Sequence, residues 1–98
     1  MEIMKSLEGT SLTIALDGRL DTITSRDLEK ELRDSVPGLT ELVFEFEKLT
    51  YITSAGLRVI SLAKKLMNKQ GHMTIRHIQP DVMEVFEATG LSAFLDIE

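Results

Sequence analysis

Few residues in this chain have types and spacing that suit chemistry. Thr53 and Ser54 stand side by side in the stretch LTYITSAGLRVI, with Ala55 and Gly56 behind them. There are two histidines, His72 and His77, and no cysteine. A serine nucleophile needs a base within hydrogen-bond reach and donors for the oxyanion. The nucleophile elbow reads G-x-S-x-G, a strained strand-to-helix turn with glycine on both sides. Ile52 occupies the upstream glycine position, so only Gly56 fits. His72 and His77 fall in one predicted strand, where exposed imidazoles are ordinary, and neither makes a credible triad base. No G-x-x-x-x-G-K-[ST] phosphate loop occurs, and no His or carboxylate cluster has metal-ligand spacing. The chain reads as a non-enzyme, with no metal and no cofactor expected.

Two other roles suit the hydroxyl pair. Thr53 or Ser54 can cap a helix by accepting a backbone N–H bond, which stabilises the helix by about 1 kcal/mol. Capping accounts for one hydroxyl but not for the small residues after it. Glycine in a helix costs roughly 1 kcal/mol relative to alanine, so Gly56 implies a close approach by a strand or a partner. The other role is a phosphate switch, since a helix start presents free N–H groups and a positive dipole end. Ser54 heads a polar stripe of Arg58, Ser61, Lys65 and Asn68, at spacings of four, three, four and three. That stripe is either a solvated helix face or a docking surface. A phosphate there adds about −1.5 to −2 charges at neutral pH, which a partner closed over a neutral serine would have to desolvate.

The elements that must position these residues follow from periodicity. The 98 residues point to one domain over residues 1–98, and at 43% hydrophobic the chain can build a core. I and L residues at 12, 14 and 16 alternate as in a half-buried strand, paired through a Gly9–Thr10 turn with a weaker edge strand before it. Thr24 and Asp27 resemble a helix start, Leu28, Leu32 and Val36 form its apolar stripe, and Pro37–Gly38 ends it. ELVFEFEKL supplies a strand whose Val43 adds an apolar residue on the second face. A helix is predicted from about Ser54 to Gln70, with Leu57, Ile60, Ala63, Leu66 and Met67 inward and Gly71 as its stop. HMTIRHI reads as a strand through His77. PDVMEVFEATG is a helix with Pro80 in its first turn, and LSAFLDIE is a last helical turn or short strand. The order β-β-α-β-α-β-α calls for an α/β fold: a mixed sheet of about four to five strands, an N-terminal hairpin and right-handed crossovers. Periodicity alone leaves the strand order open.

Composition narrows the partners. A net charge of −5 weighs against direct nucleic-acid binding, which needs cations facing phosphates. No segment reaches the roughly 18 apolar residues of a membrane span, so no membrane insertion is expected. The N-terminus lacks the pattern of a signal peptide, and the absence of cysteine is compatible with a cytoplasmic location.

Three stretches, GRLDTITSRDLEKEL, LVFEFEKLTYITSAGLRVI and VFEATGLSAFLDI, together resemble the STAS domain of bacterial anti-sigma factor antagonists, in order and over essentially the whole chain. The family pattern around its switch is commonly D-S-[ST]-G-L, at the positions of Thr53, Ser54, Ala55, Gly56 and Leu57 here. The resemblance implies helices mainly on one face of the sheet and Ser54 as phosphorylation site at a helix start. It implies an anti-sigma factor partner with a GHKL-type serine kinase fold, held by the unphosphorylated form and released on phosphorylation, and a phosphatase that resets the cycle. Asp21 matches an acidic position near the switch, expected to touch the partner or its nucleotide. The expected partner-binding set is Asp21, Thr53, Ser54, Ala55, Gly56, Leu57, Arg58 and Ser61. Thr53 departs from the usual aspartate; it keeps an acceptor oxygen without the charge. STAS-like domains also serve as fixed accessory subunits of phospholipid ABC transporters or larger signalling assemblies, in which Ser54 would be a contact residue with no kinase.

Overall fold

Ser11 to Leu20 alternates inward and outward side chains, and Gly9–Thr10 turns the chain tightly before it, so a hairpin forms first. In the computed structural model, which describes residues 1–98, strand β1 (Glu2–Glu8) pairs antiparallel with β2 (Ser11–Leu20). Helix α1 (Thr24–Ser35), strand β3 (Glu41–Ile52), helix α2 (Ser54–Asn68), strand β4 (His72–Arg76) and helix α3 (Pro80–Ala88) follow. A 3-10 turn at Leu91–Phe94 leads into the two-residue strand β5 (Asp96–Ile97), so the chain end contains both of the expected alternatives.

The five strands lie in sequence order, β1-β2-β3-β4-β5, with every pair after the hairpin parallel. This order decides where the helices go. Each crossover steps the same way across the sheet, and right-handed crossovers in one direction deliver every helix to one face. Leu28 and Leu32 of α1, Ile60 and Ala63 of α2, and Phe86 of α3 accordingly share a single core with Ile14, Phe44 and Phe46 of the sheet. Phe46 packs a tilted ring against Phe86 at 6.3 Å. The other sheet face carries Thr13, Val43 and Thr74 in register, outside that core. At the edge, Lys5 of β1 reaches Glu31 of α1 at 2.6 Å, so the exposed edge strand is tied to the helix layer.

Three local readings change. Strand β3 runs to Ile52, beyond the expected end near Leu49. Its register against β2 shifts between Ala15 and Asp17 and between Gly18 and Arg19, each time with one extra β3 residue. Such bulges break the period of two, which is why LTYI does not read as strand. His77 lies past the end of β4 with φ of 54°, in the left-handed region, rather than in the strand. Its Nδ1 lies 2.8 Å from Glu45 Oε1. Gly71 has no left-handed φ. It is needed because a Cβ there would meet the carbonyl oxygen of Thr40 and lie 2.6 Å from its carbonyl carbon. No helix is long and apolar enough to cross a membrane.

Candidate functional site

The parallel pairing of β2 and β3 brings their C-terminal ends together, and α1 and α2 both begin there. Leu20 pairs with Ile52, and the N–H of Thr53 donates to the Leu20 carbonyl at 3.0 Å. Two helix starts therefore sit side by side at one end of the sheet.

At the start of α2 the two hydroxyls divide the roles. Thr53 is the N-cap in extended conformation, and its side chain accepts from the Gly56 N–H at 3.4 Å. The Leu57 N–H goes to the Thr53 carbonyl at 2.9 Å. Ser54 is then the first helical residue, exposed, with no hydrogen bond to its hydroxyl from any other side chain or backbone group. Because Thr53 caps, the Ser54 hydroxyl is spare, and the N–H groups of Ser54 and Ala55 lie at the positive end of the helix. The charge lost with the missing aspartate does not remove the cap.

Gly56 and Leu57 of the expected docking set point inward. Both are buried. A Cβ on Gly56 would come within 2.9 Å of the Leu20 carbonyl oxygen and 2.8 Å of the Ile52 side chain. The close approach that this glycine permits is thus internal, between α2 and the ends of β2 and β3. Leu57 joins the core on the same side. Ala55 and Ser61 are half-buried and Arg58 is exposed, its guanidinium 3.9 Å from Glu29 of α1.

Asp21 has a structural task. Its Oδ1 accepts the N–H groups of Ile23 and Thr24, both at 3.0 Å, ahead of the first turn of α1. The Thr24 hydroxyl accepts from the Asp21 N–H and donates to the Arg19 carbonyl, each at 2.8 Å, and Ser25 donates to the Asp21 carbonyl. Asp21, rather than Thr24, therefore caps α1. The Thr24 N–H holds the Asp21 carboxyl below its ordinary pKa, aided by the Thr24 hydroxyl, the Ile23 N–H and the Arg19 charge, while partial desolvation opposes the shift.

The sign follows from linkage. A carboxyl with a lowered folded-state pKa contributes stability above its unfolded value of about 3.9, and loses it as pH falls through the folded value. Asp21→Ala should lower the melting temperature at pH 7, and the deficit should narrow as pH drops below about 3.9. Asp21→Asn keeps an acceptor without a charge, so part of the loss should return with a flatter pH dependence. Thermal melts from pH 2 to 7 check this, and a pH-independent gap between wild type and the alanine variant contradicts it.

Three exposed residues that sequence reasoning missed lie within a few positions of the two helix starts. Ile23, in the turn before α1, is 73% exposed. The Arg19 guanidinium lies over the Tyr51 ring at 3.9 Å, and both side chains are exposed. Arg19 and Tyr51 are register partners only because of the second β3 bulge. Tyr and Arg are residue types that anchor protein interfaces, and the exposed Ile23 adds apolar surface. A faint signal was present: Ile23 interrupts an otherwise polar DTITS turn. None of the five clefts on the molecule is lined by Asp21, Ile23, Thr53 or Ser54; Ser61 alone of the expected set lines one, between α2 and the 3-10 turn. His72 is engaged by Asp96 at 2.9 Å and His77 by Glu45. No group of three His, Asp or Glu residues could hold a metal ion.

Comparison with known proteins agrees with this fold. The Bordetella bronchiseptica protein named "Putative anti-sigma factor antagonist BtrV" is 39% identical over 94 residues, covering 93% of this chain and 80% of that protein. Among solved structures, the fold is similar to that of the anti-sigma factor antagonist SpoIIAA in its unphosphorylated form (TM-score 0.79, 15% identity, 99% of this chain and 87% of that one). It is equally similar to the Bacillus cell fate determinant SpoIIAA in the phosphorylated form (TM-score 0.79, 17% identity, 99% and 91%). An anti-sigma factor antagonist from Mycobacterium paratuberculosis superimposes with a TM-score of 0.88 at 16% identity, over 98% of this chain and 83% of that one. The STAS domain model matches residues 3–98, and with that the chain belongs to the STAS domain family.

Proposed function

We propose that this domain is an anti-sigma factor antagonist whose grip on its partner is switched by phosphorylation of Ser54. The observation that carries the reading is the exposed, unengaged Ser54 hydroxyl at the first position of α2, beside a helix cap that Thr53 already supplies. The unphosphorylated form holds an anti-sigma factor with a GHKL-type serine kinase fold, and a sigma factor is released. The kinase transfers phosphate to Ser54, the complex parts, and a phosphatase restores the serine. The domain itself acts by binding and performs no catalysis.

Support comes from the surface around the switch. Ile23, Arg19, Tyr51 and Arg58 are exposed near the two helix starts, on a surface without a cleft, which suits a protein partner better than a small substrate. Of the expected contact set, Ser54 and Arg58 are exposed and Ala55, Ser61, Asp21 and Thr53 are half-buried, the last two also holding the helix starts in place. The Bordetella protein and the unphosphorylated SpoIIAA structure are named as anti-sigma factor antagonists, which supports an anti-sigma factor as the class of partner.

The test is direct. Incubation with the anti-sigma kinase and ATP should add one phosphate to the wild-type chain, located to Ser54 by tandem mass spectrometry, and none to Ser54→Ala. A phosphate on Thr53 or elsewhere, with Ser54 unmodified, refutes the assignment.

A further inference from the structure

Away from Ser54, a second surface combines charge and apolar area in an unusual way. The 3-10 turn after α3 leaves Phe94 73% exposed, among the most exposed large apolar side chains of the molecule. Phe94, with half-buried Leu91 and Leu95, forms one wall of an open groove of about 440 Å³. The opposite wall belongs to α2 and carries Lys64 and Lys65. Neither lysine takes part in any of the ion pairs of the chain, although acidic residues outnumber basic ones and the net charge is −5. No acidic side chain lines the groove.

We infer that this groove is a docking site for an acidic amphipathic segment of a protein partner, which seats a bulky apolar side chain against Phe94 and offers carboxylates to Lys64 and Lys65. In helix-in-groove recognition an amphipathic segment lays its apolar face into an apolar groove, and the two lysines beside this one add attraction for carboxylates. Charge complementarity selects the occupant. An anionic bilayer would face the whole acidic chain, whereas a narrow segment meets only the two lysines. The groove is too open to enclose most of a free acyl chain, as small-ligand sites do.

Ser61, of the expected anti-sigma contact set, and Asn68 also line the groove on the α2 side, while its lysines lie well away from the switch. Lys65 lies eleven residues along α2 from Ser54, roughly 16 Å by helix rise, which exceeds the screening length of about 8 Å at physiological salt. Charge placed on Ser54 therefore leaves the groove's own affinity unchanged. The site stands or falls separately from the phosphorylation reading.

Nuclear magnetic resonance on the full ¹⁵N-labelled chain tests it with three probes. These are a synthetic helical peptide with a leucine face flanked by glutamates, its counterpart with lysine for glutamate, and vesicles of phosphatidylcholine with phosphatidylglycerol. The glutamate peptide should shift the amides of Lys64, Lys65, Leu91, Phe94 and Leu95. Its affinity should fall at least tenfold in Phe94→Ser and in the Lys64→Glu/Lys65→Glu double variant, and stay unchanged in Ser54→Asp. Dispersed spectra of both groove variants show that the fold is kept, and two variants on opposite walls guard against either one failing to fold. The proposal is overturned if the glutamate peptide leaves these amides unmoved, if the lysine peptide binds as tightly, or if vesicles alone produce the shifts. Sedimentation showing a dimer that Phe94→Ser abolishes would assign the groove to a second copy of this chain and overturn it equally.

Discussion

Phosphorylated Ser54 should bind the anti-sigma partner at least about 100-fold more weakly than the unmodified serine, a difference of about 2.8 kcal/mol. The magnitude rests on desolvation. The Ser54 hydroxyl is exposed in the free chain and buried when a partner covers the start of α2, so the added dianion must lose its water without a prepared counter-charge. Within the free domain the phosphate is tolerated, because it inherits the N–H groups of Ser54 and Ala55 and the positive end of α2. The melting temperature of the phosphorylated chain should therefore match or exceed that of the unmodified one. Ser54→Ala should bind the partner and stay bound in the presence of ATP. Ser54→Asp should fall between, since its single charge is smaller. Calorimetry on the four forms decides the matter, and equal affinities for serine and phosphoserine would contradict the electrostatic account. A large drop in melting temperature on phosphorylation would show instead that the switch acts by unfolding the helix start.

Gly71→Ala is expected to be the most damaging single methyl group in the chain. The added carbon would meet the Thr40 carbonyl, which also accepts the His72 N–H at 3.1 Å where β4 begins to pair with β3. Backbone on both sides leaves no flexible side chain to yield, so the strand start must move. Overpacking of this kind costs about 3 kcal/mol. For a domain of this size that corresponds to a fall of more than about 10 °C in melting temperature. Gly38→Ala gives the comparison. Gly38 has φ of 87° and open space around its Cα, so alanine there brings backbone strain alone, about 1 kcal/mol. Thermal melts of the two variants should differ clearly, and equal losses would show that Gly71 is kept for helix termination rather than for close approach.

These two predictions draw on different kinds of information. Ser54 was legible because a hydroxyl, two small residues and an apolar helical period fall within one short segment, and local spacing alone marks a helix start. The same holds for the end of α1 at Pro37–Gly38 and for Pro80 at the head of α3. The role of Gly71 was not legible. A glycine after a helix reads as a terminator, and only the backbone of Thr40, thirty-one residues away in sequence, gives the other reason. Asp21 shows the same limit: its spacing from Ile23 and Thr24 is local, yet a matching position in the family pointed to a partner, and its own hydrogen bonds point to the cap.

The sequence by itself determined the order of elements, their types, the single core and the serine at the head of α2. Hydrophobic periodicity, caps and breakers act between neighbours in the chain, so they can be read without knowing the fold. The tertiary structure decided which strands are neighbours, that Gly56 packs against the ends of β2 and β3, and that Arg19 stacks on Tyr51. Each of these depends on register across the sheet. Two bulges in β3 shift that register without leaving a periodic trace, because an extra residue breaks the alternation by which a strand is recognised.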